Sequence, residues 1–166
     1  MQATTQSGGY VRLTVLADLW NQQLGRDSNT VVIAEHESAV IPLTLWHARD
    51  IVRGCRLLWL VDNSPSLHSL VKGASGNQAM DKAVAITYIL CYLLDCTIYF
   101  EYVDSMSNFS DGISRELAGD TWAAEHAIAT KVMETWTFWW TTPLTQLWDI
   151  FQRDLALDKS EARSIE

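Results

Sequence analysis

Two short strand-forming runs on either side of a long apolar helical stretch constrain this chain most. Residues 56–61 read RLLWLV, an almost unbroken apolar run of strand length that follows Gly54 and ends at Asp62 and Asn63. Residues 97–103 read TIYFEYV, β-branched and aromatic, and so also form a strand. Between them, residues 79–94 are apolar nearly all round, the pattern of a helix buried among other elements. An unbroken apolar strand is expected to be central and covered on both faces. Strands separated by helices pair in parallel, so 56–61 and 97–103 should be neighbours. A chain of 166 residues, 48% of them hydrophobic, can bury the core this requires.

The flanking segments fill out an α/β order. Residues 10–16 (YVRLTVL) alternate and predict a strand. Residues 18–24 predict a short helix, and 25–29 a turn. Apolar spacing of three to four predicts a helix over 33–52, with Pro42 awkward inside it and Gly54 as its stop. Ser64 as cap and Pro65 at the first helical position predict a helix over 64–71. Residues 73–77 (GASGN) form a loop, and 104–111 a polar loop leading into a helix near 113–117. The tail from residue 120 holds Trp136, Trp139, Trp140 and Trp148, and Pro143 divides it into two helices. Trp at helical spacing points to packing before base stacking.

Composition narrows the function. A net charge of −8 argues against a general basic coat for nucleic acid, although Arg49, Arg53 and Arg56 cluster and, with Lys72, could grip a phosphate backbone. An acidic balance leaves room for a metal-dependent nuclease, whose site is itself acidic. The three cysteines, Cys55, Cys91 and Cys96, lie in apolar stretches without a C-x-x-C pair, which predicts buried free thiols in a reducing, intracellular compartment (cytoplasm or nucleus) and no zinc site. His36, His47, His68 and His126 lack ligand spacing. The amino terminus has no signal-peptide pattern. The uncharged runs 83–94 and 135–148 are too short to span a bilayer, so no membrane association is expected.

Three acids sit where chemistry gathers in an open sheet. Asp62 ends a buried strand, Asp111 opens the helix after another, and Glu37 lies near the start of the long helix. Ligands of α/β sheets collect at strand carboxyl ends. Converging carboxylates repel unless a cation lies among them, and oxygen donors suit Mg²⁺ or Mn²⁺. Each acid also has a plain structural reading: a turn residue for Asp62, a helix-start residue for Asp111, and a dipole-favoured first-turn acid for Glu37.

These residues resemble a family. Segment 33–115 is similar to the ribonuclease H-like domain of retroelement reverse transcriptase polyproteins, of the type found in tyrosine-recombinase retrotransposons. An acid on the first helix within I-x-x-x-E-x-x-A is matched by Ile33, Glu37 and, with a shift of one, Ala39 and Val40. A strand ending in Asp-Asn and a later Lys-Gly-x-Ser are matched by Val61-Asp62-Asn63 and Lys72-Gly73-Ala74-Ser75. The pattern V-x-S-x-x-N-x-x-D-x-x-S-R is matched by Val103, Ser105, Asn108, Asp111, Ser114 and Arg115. The spacings, 25 residues from Glu37 to Asp62 and 49 from Asp62 to Asp111, fit as well.

The resemblance implies a ribonuclease H-like mixed sheet flanked by helices, with Glu37, Asp62 and Asp111 as catalytic, metal-holding carboxylates. It implies a two-metal Mg²⁺ or Mn²⁺ site and Asn63, Lys72, Asn108 and Arg115 on the nucleic-acid side. The partners implied are an RNA–DNA hybrid and the reverse transcriptase domain of a parent polyprotein. Glu35 rivals Glu37 from a different helical face. The family's opening strand, which carries a further Asp, has no counterpart: the first acid here is Asp18, beyond the strand at 10–16. The expectation is therefore an amino-terminally truncated fragment: a partial domain over 1–118 lacking its first two strands, with a Trp-rich helical extension over 119–166. Two functions follow, an impaired hydrolase of the RNA strand in hybrids or a catalytically inactive remnant serving as a structural or interaction domain.

Overall fold

The computed structural model describes residues 9–13, 21–22, 24–27, 33–108, 129–133 and 138–163. The chain divides into two compact units, one made of Met1–Thr14 with Val103–Glu134, the other of Val15–Tyr102 with Thr135–Glu166. Helices and parallel strands together make the protein broadly α/β. In the first unit, β1 (Gly9–Leu13) pairs in parallel with β4 (Ala129–Met133), in the register Gly9↔Ala129 to Leu13↔Met133. The strand at 129–133 lies in the tail that was expected to be wholly helical. Its residues, ATKVM, carry only a weak strand pattern, and the pairing with a segment more than a hundred residues away is what settles it.

The second unit holds α1 (Ile33–His47), α2 (Arg49–Val52), β2 (Arg56–Val61), α3 (Ser64–Lys72), α4 (Gln78–Leu93), β3 (Thr97–Tyr102), α5 (Phe138–Thr141) and α6 (Leu144–Arg163). β2 and β3 are parallel neighbours, as expected, from Arg56↔Thr97 to Val61↔Tyr102. Parallel neighbours need a crossover, and α3 and α4 provide it. Two bonds fix the register at the amino-terminal edge: Gly54 N–H donates to the Leu94 carbonyl at 2.9 Å, and Thr97 N–H to the Cys55 carbonyl at 3.0 Å. Gly54 has φ of +70°, which a side chain would strain, so it stops the preceding helix as its position predicts.

The expectation that β2 is covered on both faces is corrected. Exposure alternates along both strands. Trp59 and Phe100 pack on a core of Ile41, Val61, Leu70 and Val84. On the other face Leu58 and Tyr99 are each 65% exposed and Leu60 45%. An apolar run alone does not say how many faces are covered. Similarly, α4 buries Ala83, Val84, Ile86, Thr87 and Leu90 but exposes Tyr88 and Tyr92. A tyrosine keeps its hydroxyl wet or bonded while its ring covers apolar surface, and Tyr88 donates to the Leu70 carbonyl at 2.7 Å.

Helix ends follow local chemistry. Asn63, not Ser64, caps α3: its side chain accepts from Ser66 N–H at 3.0 Å, with Pro65 in the first turn. Amide and hydroxyl caps compete for this position, and the extended backbone of Asn63 presents its oxygen to the helix. Asn77 caps α4 in the same manner, accepting from Ala79 and Met80. Pro42 lies inside α1 and is buried, so the helix forgoes one backbone donor there without ending.

Glu35, in the first turn of α1, is only 4% exposed. Its Oε1 accepts from Arg26 Nη1 at 2.5 Å and from Asn77 Nδ2 at 2.7 Å. One carboxylate therefore joins the segment before α1 to the cap of α4. We expect Glu35→Ala to destabilise the protein by about 1–3 kcal/mol, because it leaves a part-buried guanidinium and a cap amide without their acceptor. Urea denaturation measures this, and a loss below ~0.5 kcal/mol would show that water replaces the acceptor freely.

Candidate functional site

The amino-terminal turns of three helices meet at the carboxyl end of β2. Asp62 and Asn63 leave the strand, and α3 begins at once. Ser66, fully buried in the first turn of α3, donates from Oγ to the Ala34 carbonyl at 2.9 Å and lies 3.0 Å from Asn63 Oδ1. That bond sets the first turn of α1 against the first turn of α3, four residues past Asp62. Glu37 is three residues beyond Ala34, so it shares Ala34's side of α1. Both Glu37 and Asp62 are half-buried. The start of α1, ahead of Glu37, thus lies beside the start of α3, just after Asp62.

The third, Asp111, lies outside the described residues, as does Arg115. Asn63 commits its side-chain oxygen to capping α3. Lys72 is exposed in the last turn of α3, next to Gly73, which closes the helix with φ of +84°. Asn108 follows the short 3-10 turn Ser105–Ser107, whose cap is Asp104 accepting from Met106 N–H at 2.9 Å. Glu35, the rival of Glu37 in the sequence, is engaged in holding Arg26 and Asn77.

Carboxylate oxygens suit a hard divalent cation. Among the described residues no group of three or more His, Cys, Asp or Glu side chains could hold a metal ion. Glu37 and Asp62 belong to no such group among the described residues.

Burial holds the His36 imidazole below its ordinary range, and the Glu35 carboxylate opposes that shift. The native protein therefore binds fewer protons than the unfolded chain just below pH 6.5, the ordinary histidine value. Stability from this residue is present above that pH and is lost as pH falls from it toward the depressed native value. His36→Gln should flatten this part of the pH–stability curve. Unfolding midpoints taken between pH 7.5 and 5 test it, and parallel curves for the two proteins would refute it.

Other expected residues fall into packing. Arg49 stacks over the Trp46 ring at 4.9 Å and donates to the Trp46 carbonyl. Trp139 and Trp140 are buried, and Trp148 stacks on Tyr92 at 5.6 Å. The link from Lys82 Nζ to the carbonyls of Trp140 and Thr142, both at 2.7 Å, had no signal in the sequence, because its partners lie 58 and 60 residues away. Among the described residues no helix is long and apolar enough to cross a membrane. Comparison with protein-family models, with curated proteins and with solved structures finds no match to the chain.

Proposed function

We propose that this chain is a ribonuclease H-like retroelement module whose ancestral reaction is metal-dependent hydrolysis of the RNA strand in an RNA–DNA hybrid, with that activity impaired here. One observation supports the reading: the Ser66–Ala34 bond sets the start of α1, which carries Glu37 three residues on, beside the start of α3 that follows Asp62 at the end of a parallel pair. Ligands of open α/β sheets bind at that edge. In this reading Glu37, Asp62 and Asp111 hold Mg²⁺ or Mn²⁺, whose chemistry when bound is charge stabilisation at the phosphodiester. Lys72, Asn108 and Arg115 contact the nucleic-acid backbone, and Asn63 orients α3 beside the site through its cap.

A second reading, an inactive remnant acting as an interaction domain, draws support from the exposed sheet face of Leu58, Leu60 and Tyr99. Apolar surface grouped on one face is where partners bind. Binding of a labelled RNA–DNA hybrid, with and without Mn²⁺, tests the first reading. Affinity that Mn²⁺ strengthens and that Asp62→Asn weakens supports it, whereas metal-independent or absent binding favours the second.

A further inference from the structure

The three cysteines of the chain lie at the amino-terminal edge of the β2–β3 sheet, six residues of strand (~20 Å) from the end that carries Asp62. Cys55 precedes β2 and Cys96 precedes β3, so the two stand side by side one step before the Arg56↔Thr97 pair. Cys91 lies in the last turn of α4, which ends in a compact left-handed turn. Asp95 adopts φ of +53°, Asp95 N–H donates to the Tyr92 carbonyl at 3.2 Å, and Cys96 N–H to the Cys91 carbonyl at 3.0 Å. This is the two-bond Schellman arrangement, whose geometry puts the side chains of its first and last residues in contact. Here those residues are Cys91 and Cys96.

We propose that Cys91 and Cys96 are a built-in dithiol pair that a low-molecular-weight disulfide converts to an intramolecular disulfide, with Cys55 left as the free thiol. Cys55 is a neighbour of Cys96, but its thiol is directed elsewhere, lying 3.3 Å from the Ile51 carbonyl and 3.7 Å from that of Arg53. Burial pushes the Cys91 thiol up to about 12, with Cys96 adding to the effect. Burial raises the Cys96 thiol as well, and the neighbouring Cys91 opposes that shift. In this proposal Cys96 is the attacking sulfur and Cys91 the resolving one.

The exchange balances with the disulfide reagent as sole oxidant. The Cys96 thiolate displaces one thiolate from the reagent and forms a mixed disulfide. Cys91, losing its proton to solvent, then attacks the Cys96 sulfur and displaces the second thiolate. Two electrons pass from the pair to the reagent, which leaves as two thiols. Cys96 is only 7% exposed, so the reagent reaches it as the end of α4 frays.

The test treats the native full chain with oxidised glutathione, then counts free thiols after denaturation and maps disulfide-linked peptides. The expected result is a fall from three free thiols to one, a link between Cys91 and Cys96, and Cys55 unmodified. Cys91→Ser should instead accumulate one glutathionyl group on Cys96, and Cys55→Ser should leave the 91–96 link intact. A Cys55–Cys96 link, an intermolecular link, or three thiols retained when the urea-unfolded chain is oxidised under the same conditions would each overturn the proposal. None of these readouts depends on nucleic-acid binding.

Discussion

Phe151→Ala should destabilise the protein by about 3–5 kcal/mol, among the largest losses expected from any single truncation here. Phe151 is wholly buried, and its ring lies 4.9 Å from Trp46 and 5.0 Å from Trp139, the latter edge-on. Trp46 and Trp139 are themselves edge-to-face at 6.3 Å. Removing the central ring opens a cavity that two large, rigid indoles cannot collapse into, and it also forfeits the aromatic pair terms. Urea unfolding followed by tryptophan fluorescence measures the loss. Trp148→Ala provides the comparison, since Trp148 is half-buried and stacks only on Tyr92 among the described rings; it should cost about 1–2 kcal/mol. Equal losses for the two variants would mean that α6 docks on α1 less closely than the ring contacts describe.

The second large effect concerns the carboxylates. The chain by itself should cleave an RNA–DNA hybrid little or not at all in Mg²⁺ or Mn²⁺. In the proposed reading Glu37 and Asp62 would need further donors, since Mg²⁺ demands near-octahedral coordination, and among the described residues no group of three or more acids, His or Cys could hold a metal. Fusing an amino-terminal strand that bears an Asp should raise cleavage, and Asp62→Asn in the fusion should cut it by at least ~100-fold, since catalysis of this kind rests on fixed ligand geometry. Glu35→Gln in the same fusion should affect stability more than turnover, because its carboxylate is engaged with Arg26 and Asn77. Robust cleavage by the unfused chain, lost on Asp62→Asn, would show that another acid completes the site. Cleavage indifferent to Asp62 would remove this reading of the protein altogether.

Local pattern was enough for the parallel pair and much of its surroundings. The apolar runs at 56–61 and 97–103 became adjacent strands, the stretch at 79–94 became the crossover helix, and Gly54 and Gly73 ended helices where their freedom at positive φ predicts. These features depend on residues close in sequence: hydrophobic period, strand propensity and backbone permissiveness. The choice of Asn63 over Ser64 as cap shows the limit of that information, since adjacent polar residues compete and the path of the chain out of the strand decides.

What the sequence by itself determined was therefore the kind of element at most described positions and the candidate acids at the strand and helix ends. Tertiary structure alone decided which faces are covered, leaving Leu58, Leu60 and Tyr99 exposed while Trp59 and Phe100 are packed. It also decided that Glu35 serves as a buried junction, that Lys82 holds the end of α5, and that 129–133 pairs with the amino-terminal strand. Each of these depends on partners that are 42, 58 or more than a hundred residues apart. Local propensity carries no information about such partners, because the free energy that selects them comes from burial and hydrogen bonding between elements that have already formed.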